Sequence, residues 1–370
     1  MITIEITLQS RCTGCGTCKN ICPEQAINMH ENNEGFLEPF TDISKCIECE
    51  FCFKHCPVLM RQTINSNKMP KVYAAWSLNR QTRYNSTSGG VFTELAKAVI
   101  NENGLVAGAK YNEEHLVEHA IINTVEDISL LQQSKYLQSD VRDVYVKIEK
   151  ALKEKKQVLF VGTPCQCAGL KSYLNQESDN LYLCDFICRG VNSPLVYKKY
   201  LQELEQEYDS KVKQVWFKNK TNGWNNFGTK IIFENGREYF KDRDTDPFMF
   251  GYIKQNLNLY MRQCCGKCEF KGSARPVDIT LGDFWGIELR GMDTEEDNGI
   301  SAVLLQSGKG VSLFERIKEQ IYFEEHTAQE LAIGNVCLTE SAVRSNGSKE
   351  FFEALRSQSF FESLNVLKVK

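Results

Sequence analysis

The sequence predicts a mixed α/β protein in which a larger α/β domain follows a small α+β domain. Three observations support this prediction. Two cysteine runs of the same spacing lie within the first 60 residues. From about residue 72 onward, short apolar segments alternate with amphipathic helical segments, as in α/β architecture. A chain of 370 residues is long enough for two or three domains.

The composition is that of a globular protein, with 42% hydrophobic and 25% charged residues. The longest apolar stretches, such as Val158 to Val161, fall far short of the roughly 18 to 20 residues that cross a bilayer, so we expect no membrane span. The segment Met1 to Thr7 lacks the features of a secretory signal, and we therefore expect a cytoplasmic location. The net charge of −4 and the dispersed Lys and Arg residues disfavour nucleic acid as a partner.

The sixteen cysteines are expected to be metal ligands or catalytic thiols, because a cytosolic redox poise keeps thiols reduced. Half of them form two runs with the spacing Cys-x2-Cys-x2-Cys-x3-Cys-Pro. This spacing is typical of bacterial ferredoxins with two 4Fe–4S clusters, in which the fourth cysteine of each run ligates the cluster of the other run. The expected ligands of one cluster are Cys12, Cys15, Cys18 and Cys56, and those of the other are Cys46, Cys49, Cys52 and Cys22.

The alternative for these runs is a pair of zinc knuckles, because Cys-x2-Cys is also a common zinc spacing. Two runs of four cysteines with the same uneven spacing favour two cubanes instead. His55 lies inside the gap before the last cysteine and is expected to be an exposed spacer. Between the runs, the segment from Ala26 to Ser44 carries Asn-Asn-Glu-Gly turn residues and predicts a hairpin over the clusters.

A polar segment over residues 61–71 is expected to be a linker, and a new domain is expected to begin near Val72. Because few contacts are expected to cross such a boundary, the two parts should be separable. The first clear helix of the larger domain is predicted between Ser86 and Gly104. A Ser-Gly-Gly segment at 88–90 precedes it, so the helix N-terminus suits a pyrophosphate group. An ordinary helix cap is an equally good interpretation of this motif alone.

Two predicted strands each lead to a cysteine. Val158 to Val161 runs directly into Gly-Thr-Pro and Cys165, and Leu181 to Ile187 leads to Cys188 in the same way. A helix predicted from about Val141 to Lys155 precedes the first of these strands. Because α/β sheets expose their functional groups at the carboxyl ends of strands, we expect both cysteines to be functional.

Six motifs together resemble the beta subunit of coenzyme F420 hydrogenase and dehydrogenase, in the order of that family. They are Ser88-Gly89-Gly90, Ser134-Lys135-Tyr136 with Gln138-Ser139, Gly162-Thr163-Pro164-Cys165-Gln166, Asp185 to Ser193, Arg262 to Cys268, and Asp278 to Gly286. The resemblance implies an α/β (mixed α+β) flavoprotein domain with FAD and a further 4Fe–4S cluster, preceded here by a small α+β ferredoxin-like domain. It also implies hydride exchange with a deazaflavin in the archaeal members. Relatives with this domain include a plant reductase of hydroxymethyl chlorophyll that draws electrons from ferredoxin, so the fold accepts several substrates.

The sequence departs from the family at one position. Where the family commonly has Cys-His-Gly, this chain has Cys188-Arg189-Gly190, so a permanently charged guanidinium replaces a titratable imidazole. If the family's histidine protonates substrate, that chemistry differs here. If it only contacts a phosphate or carboxylate, Arg189 can replace it. The identity of the substrate therefore stays open.

The resemblance also implies ligands for a third cluster, from the four cysteines on family motifs. These are Cys165, Cys188, Cys265 and Cys268. Cys264 competes with its neighbour Cys265, but Cys265 forms the Cys-x2-Cys pair. The three cysteines outside these motifs are expected to be buried small hydrophobic residues. They are Cys167, Cys184 and Cys337.

Candidate flavin and catalytic residues follow from the same motifs. The candidate FAD-binding residues are Ser88, Gly89, Gly90, Lys135, Tyr136, Gly162, Thr163 and Gln166. The candidate catalytic residues are Lys135, Arg189 and Asp283, for each of which a surface or supporting role is an equally good interpretation. Because a flavin converts one-electron into two-electron transfer, no acid–base dyad is required in the sequence.

The expected domain organisation has five parts. They are a two-cluster ferredoxin-like domain at 1–60, a linker at 61–71, the flavin and 4Fe–4S domain in two parts at 72–160 and 161–345, and a helical tail at 346–370. The expected function is an FAD-dependent iron–sulfur oxidoreductase. Its expected partners are ferredoxin or another redox subunit, and coenzyme F420 or another small organic substrate. The alternatives are an electron-transfer subunit of a larger complex without its own substrate and, less favoured, an iron–sulfur sensor.

Overall fold

The computed structural model describes residues 2–60, 69–254, 257–289 and 296–365. The predicted linker at 61–71 lies mostly outside the described residues, and its last residue, Lys71, already begins a strand. Within the described ranges, no helix has both the length and the apolar character needed to span a bilayer.

The cysteine-rich residues 2–60 form a small α+β unit, here called the N-terminal module. Its elements are α1 (Ile4–Leu8), α2 (Thr17–Ile21), β1 (Ile27–Glu31), β2 (Leu37–Thr41) and α3 (Phe51–Lys54). Strands β1 and β2 pair antiparallel with Ile27 opposite Thr41, which confirms the predicted hairpin. Each cysteine run contributes one short helix, and the residues before these helices, Gly16 and Glu50, have positive φ angles of 77° and 62°.

The rest of the chain, here called the larger domain, contains two sheets. Its strands are β3 (Lys71–Ser77), β4 (Leu105–Tyr111), β5 (Val117–Ile122), β6 (Val158–Val161), β7 (Leu181–Phe186), β8 (Val212–Asn219), β9 (Gly228–Phe233), β10 (Glu238–Asp242), β11 (Ile279–Asp283), β12 (Ser301–Leu305) and β13 (Ile321–His326). Eight of them form one mixed sheet in the order β13-β3-β12-β11-β7-β6-β4-β5. The central strands β11, β7, β6 and β4 are parallel, and the outer strands pair antiparallel. The strands predicted to lead to Cys165 and Cys188 are therefore confirmed as neighbours, β6 and β7.

Helices cover both faces of the eight-stranded sheet. The helices of the larger domain are α4 (Arg80–Asn85), α5 (Val91–Ile100), α6 (Ile128–Leu131), α7 (Val144–Lys153), α8 (Pro164–Leu174), α9 (Pro194–Tyr208), α10 (Pro247–Ile253), α11 (Gly308–Glu315), α12 (Ala328–Gly334), α13 (Ser348–Leu355) and α14 (Phe360–Asn365). Side chains alternate between the faces of a strand. In β6, Leu159 packs with residues of α5 and α11, whereas Val158 and Phe160 pack with residues of α7 and α8.

A second core lies between the three-stranded sheet β10-β9-β8 and helices α9, α10, α13 and α14. It is rich in aromatic side chains, including Tyr197, Phe217 and Phe248, which are fully buried. Phe351 of α13 and Phe360 of α14 join it, so the C-terminal helices complete this core.

The N-terminal module packs directly on helices α7 and α8. The Tyr145 hydroxyl donates to the carbonyl of Cys15 at 3.0 Å, and the Ser172 hydroxyl donates to the carbonyl of His55 at 2.8 Å. His55 Nδ1 lies 2.6 Å from the carbonyl oxygen of Ser172. The expectation that His55 is an exposed spacer is therefore wrong, because its half-buried ring holds the module on α8.

The module also contacts the loops before α7 and α9. Leu37 N donates to Gln138 Oε1 at 2.7 Å, and Gln138 Nε2 donates back to the Leu37 carbonyl at 3.2 Å. A Cβ on Gly14 would lie 2.1 Å from Gln138 Nε2, so only glycine allows this approach. The Ser193 hydroxyl donates to the Glu34 carbonyl at 2.5 Å. The expectation that few contacts join the two parts is wrong, because a polar linker in the sequence does not report which surfaces meet in space.

Candidate functional site

The first cysteine set of the N-terminal module surrounds a small cavity. The cysteines that line it are Cys12, Cys15, Cys18 and Cys56. Cys56 belongs to the second run, so the structure brings together the four cysteines that crossed ligation predicts for one cluster. Each is at most 9% exposed, and the amide of Gly14 donates to Cys12 Sγ at 3.4 Å.

Burial makes these thiols difficult to ionise. It raises the pKa of Cys12 and that of Cys56 to about 11, and it raises the pKa of Cys18 well above its ordinary value. The charges of Cys15, Cys12 and Cys56 add to the rise at Cys18. Several buried thiolates need a compensating positive charge, which bound iron supplies. The first set therefore fits a 4Fe–4S cluster.

The second cysteine set is more exposed than the first. Its members Cys22, Cys46, Cys49 and Cys52 are all partly buried. Burial raises the pKa of Cys52 to about 11, and the charges of Cys49 and Cys46 act in the same direction. Among the described residues, no group of three or more His, Cys, Asp or Glu side chains is placed to hold a single metal ion. The four cysteines of a cubane do not converge on one ion, since each binds a different iron.

A larger cavity of about 690 Å³ lies between the N-terminal module and the larger domain, and it is here called the large cavity. The cysteines predicted for the third cluster all line it. They are Cys165, Cys188, Cys265 and Cys268. Cys165 lies in the first turn of α8, and Cys188 follows β7. The other two lie in and directly after the 3-10 helix Gln263–Lys267.

These four thiols are close enough to influence one another. Burial raises the pKa of Cys165 well above its ordinary value, and the charges of Cys268, Cys188 and Cys265 add to the rise. Burial raises the pKa of Cys188 to about 12, with Cys265 as the next contribution. Cys264 also lines the large cavity and is hydrogen-bonded to Cys265 through its side chain. The arrangement fits a cluster whose ligands come from two strand ends and one turn.

The remaining three cysteines differ from one another. Cys167 and Cys184 are fully buried, and Cys167 Sγ lies 3.5 Å from the carbonyl oxygen of Cys184. Their expected burial is confirmed. Cys337 is only partly buried, and its carbonyl accepts a hydrogen bond from Lys271, which also donates to the carbonyl of Cys188. Cys337 therefore lies closer to the third cysteine set than the sequence predicts.

Positive side chains predominate around the large cavity. The basic residues that line it are Arg11, Arg189, Lys267, Lys271, Arg275, Arg344 and Lys349, and the acidic ones are Glu34 and Glu269. Three of the arginines are paired with acids, in the pairs Arg11–Glu269, Arg275–Asp185 and Arg344–Glu34. The excess of positive charge suits the negative charge of an iron–sulfur cluster with four thiolate ligands.

The Ser-Gly-Gly segment begins α5, next to strand β12. The Ser88 hydroxyl donates to the carbonyl of Ile300 at 2.6 Å, and the amide of Gly89 donates to the Ser301 hydroxyl at 3.0 Å. Gly90 is the N-cap of α5 with a φ of 89°, and no side chain caps this helix. The polar groups of Ser88 and Gly89 are thus bonded within the protein.

Two lysines and an aspartate lie beside this segment, and we call them the lysine group (Lys218, Lys220 and Asp283). Lys218 forms an ion pair with Asp283 at the end of β11. Lys220 Nζ donates to the Ser88 carbonyl at 2.6 Å, and burial lowers the pKa of Lys220 to about 7. Burial raises the pKa of Tyr136, and the charge of Lys218 opposes this rise, so Tyr136 belongs to the same environment. The structure therefore places Ser88, Tyr136 and Asp283 in one region.

Lys135 occupies a different environment from its neighbour Tyr136. Its Nζ donates to the carbonyls of Gln132 and Gln133 at 2.7 and 3.3 Å and lies 5.6 Å from the centre of the Tyr111 ring. Burial lowers the pKa of Lys135 to about 7. Near neutral pH this amine is therefore able to donate or accept a proton.

The other three candidate flavin residues lie beside the large cavity. Gly162 follows β6, and Thr163 begins α8 with a capping box in which its amide donates to Gln166 Oε1 at 3.0 Å. Thr163 and Gln166 line the large cavity together with Cys165. The eight candidate flavin residues therefore lie in three places, namely the start of α5 together with Tyr136, the surroundings of Lys135, and the start of α8.

Arg189 lines the large cavity. Its Nε donates to Asn258 Oδ1 at 2.9 Å, and its guanidinium carbon lies 5.8 Å from the centre of the Tyr252 ring. The Tyr252 ring centre in turn lies 5.3 Å from that of Tyr136. The structure thus places the three candidate catalytic residues in three neighbouring environments rather than in one group.

Several residues of these sites were not identified as functional from the sequence. They are Lys218, Lys220, Tyr145 and Arg262. The alternation Lys218-x-Lys220 near the end of a strand is a usable pattern, since alternate residues of a strand share a face. Arg262 begins one of the six family motifs, but its role, like that of Tyr145, could not be predicted, because both roles depend on contacts with the N-terminal module.

Residues 155–330 match the family model for the C terminus of the coenzyme F420 hydrogenase/dehydrogenase beta subunit, and residues 11–60 match a 4Fe–4S dicluster domain. An uncharacterized protein of Methanocaldococcus jannaschii is 25% identical over 209 residues, which cover 48% of this chain and 56% of that protein. A coenzyme F420-dependent sulfite reductase of the same organism is 26% identical over 171 residues, which cover 45% of this chain and 26% of that protein. An uncharacterized ferredoxin of this organism is 30% identical over 57 residues, which cover 15% of this chain and 73% of the ferredoxin.

Among solved structures, a chain of the F420-reducing NiFe hydrogenase complex from Methanosarcina barkeri aligns with a TM-score of 0.47 and 16% identity, over 72% of this chain and 85% of that chain. The dicluster domain and the cysteine-lined cavities define the class of the protein, an iron–sulfur electron-transfer protein. Residues 155–330 are thus similar to the C-terminal domain of the coenzyme F420 hydrogenase/dehydrogenase beta subunit and residues 11–60 to a 4Fe–4S dicluster domain, which confirms the resemblance. It spans about half of the first relative and about a quarter of the sulfite reductase.

Proposed function

We propose that the chain is an FAD-dependent iron–sulfur oxidoreductase that exchanges hydride with coenzyme F420 or another small organic substrate. The proposal assigns two 4Fe–4S clusters to the N-terminal module and a third to Cys165, Cys188, Cys265 and Cys268. When bound, the clusters supply one-electron carriers and the flavin supplies the conversion to hydride transfer. Ferredoxin or another redox subunit is the proposed electron partner.

The observation that carries this proposal is that Tyr145 and α8 join the loop of the first cysteine set to the segment that carries Cys165. The Tyr145 hydroxyl donates both to the carbonyl of Cys15 and, at 2.9 Å, to the carbonyl of Gln166, which follows Cys165 in α8. A Cβ on Gly169 of α8 would lie 3.2 Å from the Cβ of Cys15. This packing places α8, which carries Cys165, directly against the loop that carries Cys15, and such proximity favours electron exchange between the two proposed clusters.

The proposed flavin site extends from the N-terminus of α5 toward the large cavity. A helix N-terminus without a capping side chain suits the pyrophosphate of FAD, and the lysine group lies beside it. Asp283 would orient Lys218 through their ion pair. Lys135 would hold or release a proton near neutral pH, and Arg189 would bind an anionic group of the substrate.

The third cluster is tested by iron content. Protein purified without oxygen should contain about twelve irons, from three four-iron clusters. A variant with serine at both Cys265 and Cys268 should contain about eight. Cys184→Ala is the matched control and should keep the full content, since Cys184 is buried in another core. About eight irons in the unaltered chain, with no change in the double variant, would contradict the third cluster.

The flavin site is tested by the stoichiometry of bound FAD. Lys218→Met should lower the flavin content, whereas Lys218→Arg should keep it, because the proposed role of Lys218 is its charge. Lys213→Met is the control, since Lys213 is exposed and lies near the other end of the same strand, β8. Equal flavin content in all three variants would place the flavin elsewhere. The substrate is then sought by supplying reduced ferredoxin and screening deazaflavin, nicotinamide and small unsaturated compounds as acceptors.

The second candidate is an electron-transfer subunit without its own flavin or substrate. It is favoured by one observation, namely that the polar groups of Ser88 and Gly89 are already bonded to residues of the protein. Under this alternative, the purified chain contains iron but no flavin. It accepts electrons from reduced ferredoxin and does not reduce coenzyme F420 unless a further subunit is added.

A further inference from the structure

Arg262 connects the first cysteine set to the third. The residue is only 2% exposed. Its Nε donates to the carbonyl of Cys12 at 2.9 Å, its Nη1 donates to the carbonyl of Leu37 at 3.1 Å, and its Nη2 lies 3.3 Å from Glu38 Oε1. Every one of these partners belongs to the N-terminal module.

The backbone of Arg262 belongs to the loop of the third set. Its carbonyl accepts a hydrogen bond from the amide of Cys265 at 3.1 Å, and its amide donates to the carbonyl of Val191 at 2.9 Å. Val191 lies three positions after Cys188. The backbone of Arg262 is thus part of the loop that carries Cys265 of the third set. Its side chain binds the loop that carries Cys12 of the first set.

The guanidinium acts electrostatically on both sets. Burial raises the pKa of Cys12, and Arg262 is the largest influence in the opposite direction. Burial also opposes the charge on Arg262, yet Cys12, Cys264, Glu38 and Cys265 hold the pKa of Arg262 above its ordinary value. An arginine stays charged at any physiological pH, and a buried charge is little screened by salt.

We propose that Arg262 is a positioning residue that raises the reduction potentials of the Cys12 cluster and of the third cluster together. The inference deepens the proposed function and rests on its third cluster. Reduction adds one negative charge to a cluster, and a buried cation beside it stabilises that charge. The step concerned is a single-electron exchange, in which the Cys12 cluster is reduced as the other N-terminal cluster is oxidised, and it moves no proton. Arg262 therefore favours the reduced state of the Cys12 cluster and of the third cluster. The negative charge of Glu38 opposes this effect.

The test is a redox titration of the iron-loaded full chain, followed by electron paramagnetic resonance. In Arg262→Gln the reduction potential of the Cys12 cluster should fall. The equilibrium constant for electron exchange with the second N-terminal cluster should then change by about tenfold, which corresponds to about 59 mV for a one-electron couple. Arg262→Lys keeps the charge and should shift the potential less. Glu38→Gln removes the opposing anion and should shift the potential upward. Arg316→Gln is the control and should cause no shift, because Arg316 binds the carbonyl of Ala98 in α5, within the larger domain.

The outcomes separate this inference from the proposed function. An unchanged potential in Arg262→Gln, or a downward shift in Glu38→Gln, would overturn the inference. If Arg262→Gln binds less iron, its potential is not comparable with that of the unaltered chain. The sign of the potential shift in Glu38→Gln then tests the inference, since Glu38 is about a third exposed and its replacement should leave the cysteine loops intact. If the unaltered chain holds only about eight irons, the third cluster fails, and the shift of the Cys12 cluster still tests the role of Arg262.

Discussion

The N-terminal module and the larger domain are stabilised by different means. Among the described residues, the hydrophobic cluster of the module has seven buried members, and three of them are cysteines. They are Ile4, Leu8, Cys12, Cys18, Ile27, Cys56 and Val58. The larger domain has several apolar cores of its own, with large aromatic side chains such as Phe217 and Phe248. Since a unit of about 60 residues buries little apolar surface, the module depends on its metal clusters, whereas the larger domain does not.

Removal of iron should destabilise the N-terminal module much more than the larger domain, and this is the largest difference that we expect between them. We expect the β1–β2 hairpin to lose protection from amide hydrogen exchange when iron is chelated, because the cysteines of the module core then have no metal to join them. Strands β6 and β7 should keep most of their protection, since both of their faces are covered by helices. Equal loss of protection in the hairpin and in these two strands would refute the distinction between module and larger domain.

Acidification should affect the larger domain through a buried histidine. His119 in β5 is held by Ser139 at 2.7 Å and by the carbonyl of Val161 at 3.2 Å, and burial lowers its pKa from 6.5 to about 4. Between these values the unfolded chain binds the proton and the folded chain does not, so the stability contributed by neutral His119 is lost as pH falls from 6.5 toward 4. The expected loss by about pH 5 is roughly 2 kcal/mol.

This prediction is checked by denaturant unfolding of the iron-loaded protein at two pH values. His119→Gln should remove most of the pH dependence, since an amide does not titrate in this range. His30→Gln is the control, because the ring of His30 stacks on the exposed Phe40 of the module hairpin. If both variants keep the pH dependence of the unaltered chain, other groups cause it.

Loss of one bridging hydroxyl should weaken the contact between the two parts by a smaller amount. Tyr145→Phe removes both hydrogen bonds to the carbonyls of Cys15 and Gln166 and leaves the ring in place. We expect a destabilisation of about 1 kcal/mol, with the iron content retained. Tyr173→Phe is the matched control, since Tyr173 belongs to the same hydrophobic core as Tyr145 and its hydroxyl binds Glu149 within the larger domain. If Tyr173→Phe lowered the free energy of unfolding of the iron-loaded protein more than Tyr145→Phe does, the bridging role of Tyr145 would be contradicted.

The smallest effect is expected at a partly exposed ion pair between the two parts. Arg11 pairs with Glu269 at 3.0 Å, and the Arg11 side chain is 52% exposed. Because solvent screens such pairs, a double-mutant cycle with Arg11→Ala and Glu269→Ala should give a coupling below about 1 kcal/mol. A coupling of several kcal/mol would show that docking of the module depends on charge rather than on buried contacts.

Local patterns in the sequence were sufficient to predict much of the site. The cysteine spacing predicted two N-terminal clusters, and the turn residues between the runs predicted the hairpin that β1 and β2 form. The apolar runs before Cys165 and Cys188 predicted two strands, which are neighbours in the sheet. These features depend on periodicity and spacing over a few residues, and such information is present in the chain itself.

Other features depend on segments that are far apart in the chain. The expectation of few contacts between the module and the larger domain was wrong, because Gln138, Ser172 and Arg262 contact the module from three different loops and helices. The partners of Asp283 and Ser88 could not be predicted from the sequence either. Lys218 and Lys220, which contact them, lie in and directly after β8 of the other sheet. The sequence by itself determined which residues can bind iron and which segments form strands. Only the tertiary structure decided which charges lie beside them, because contacts between residues more than a hundred positions apart leave no local pattern.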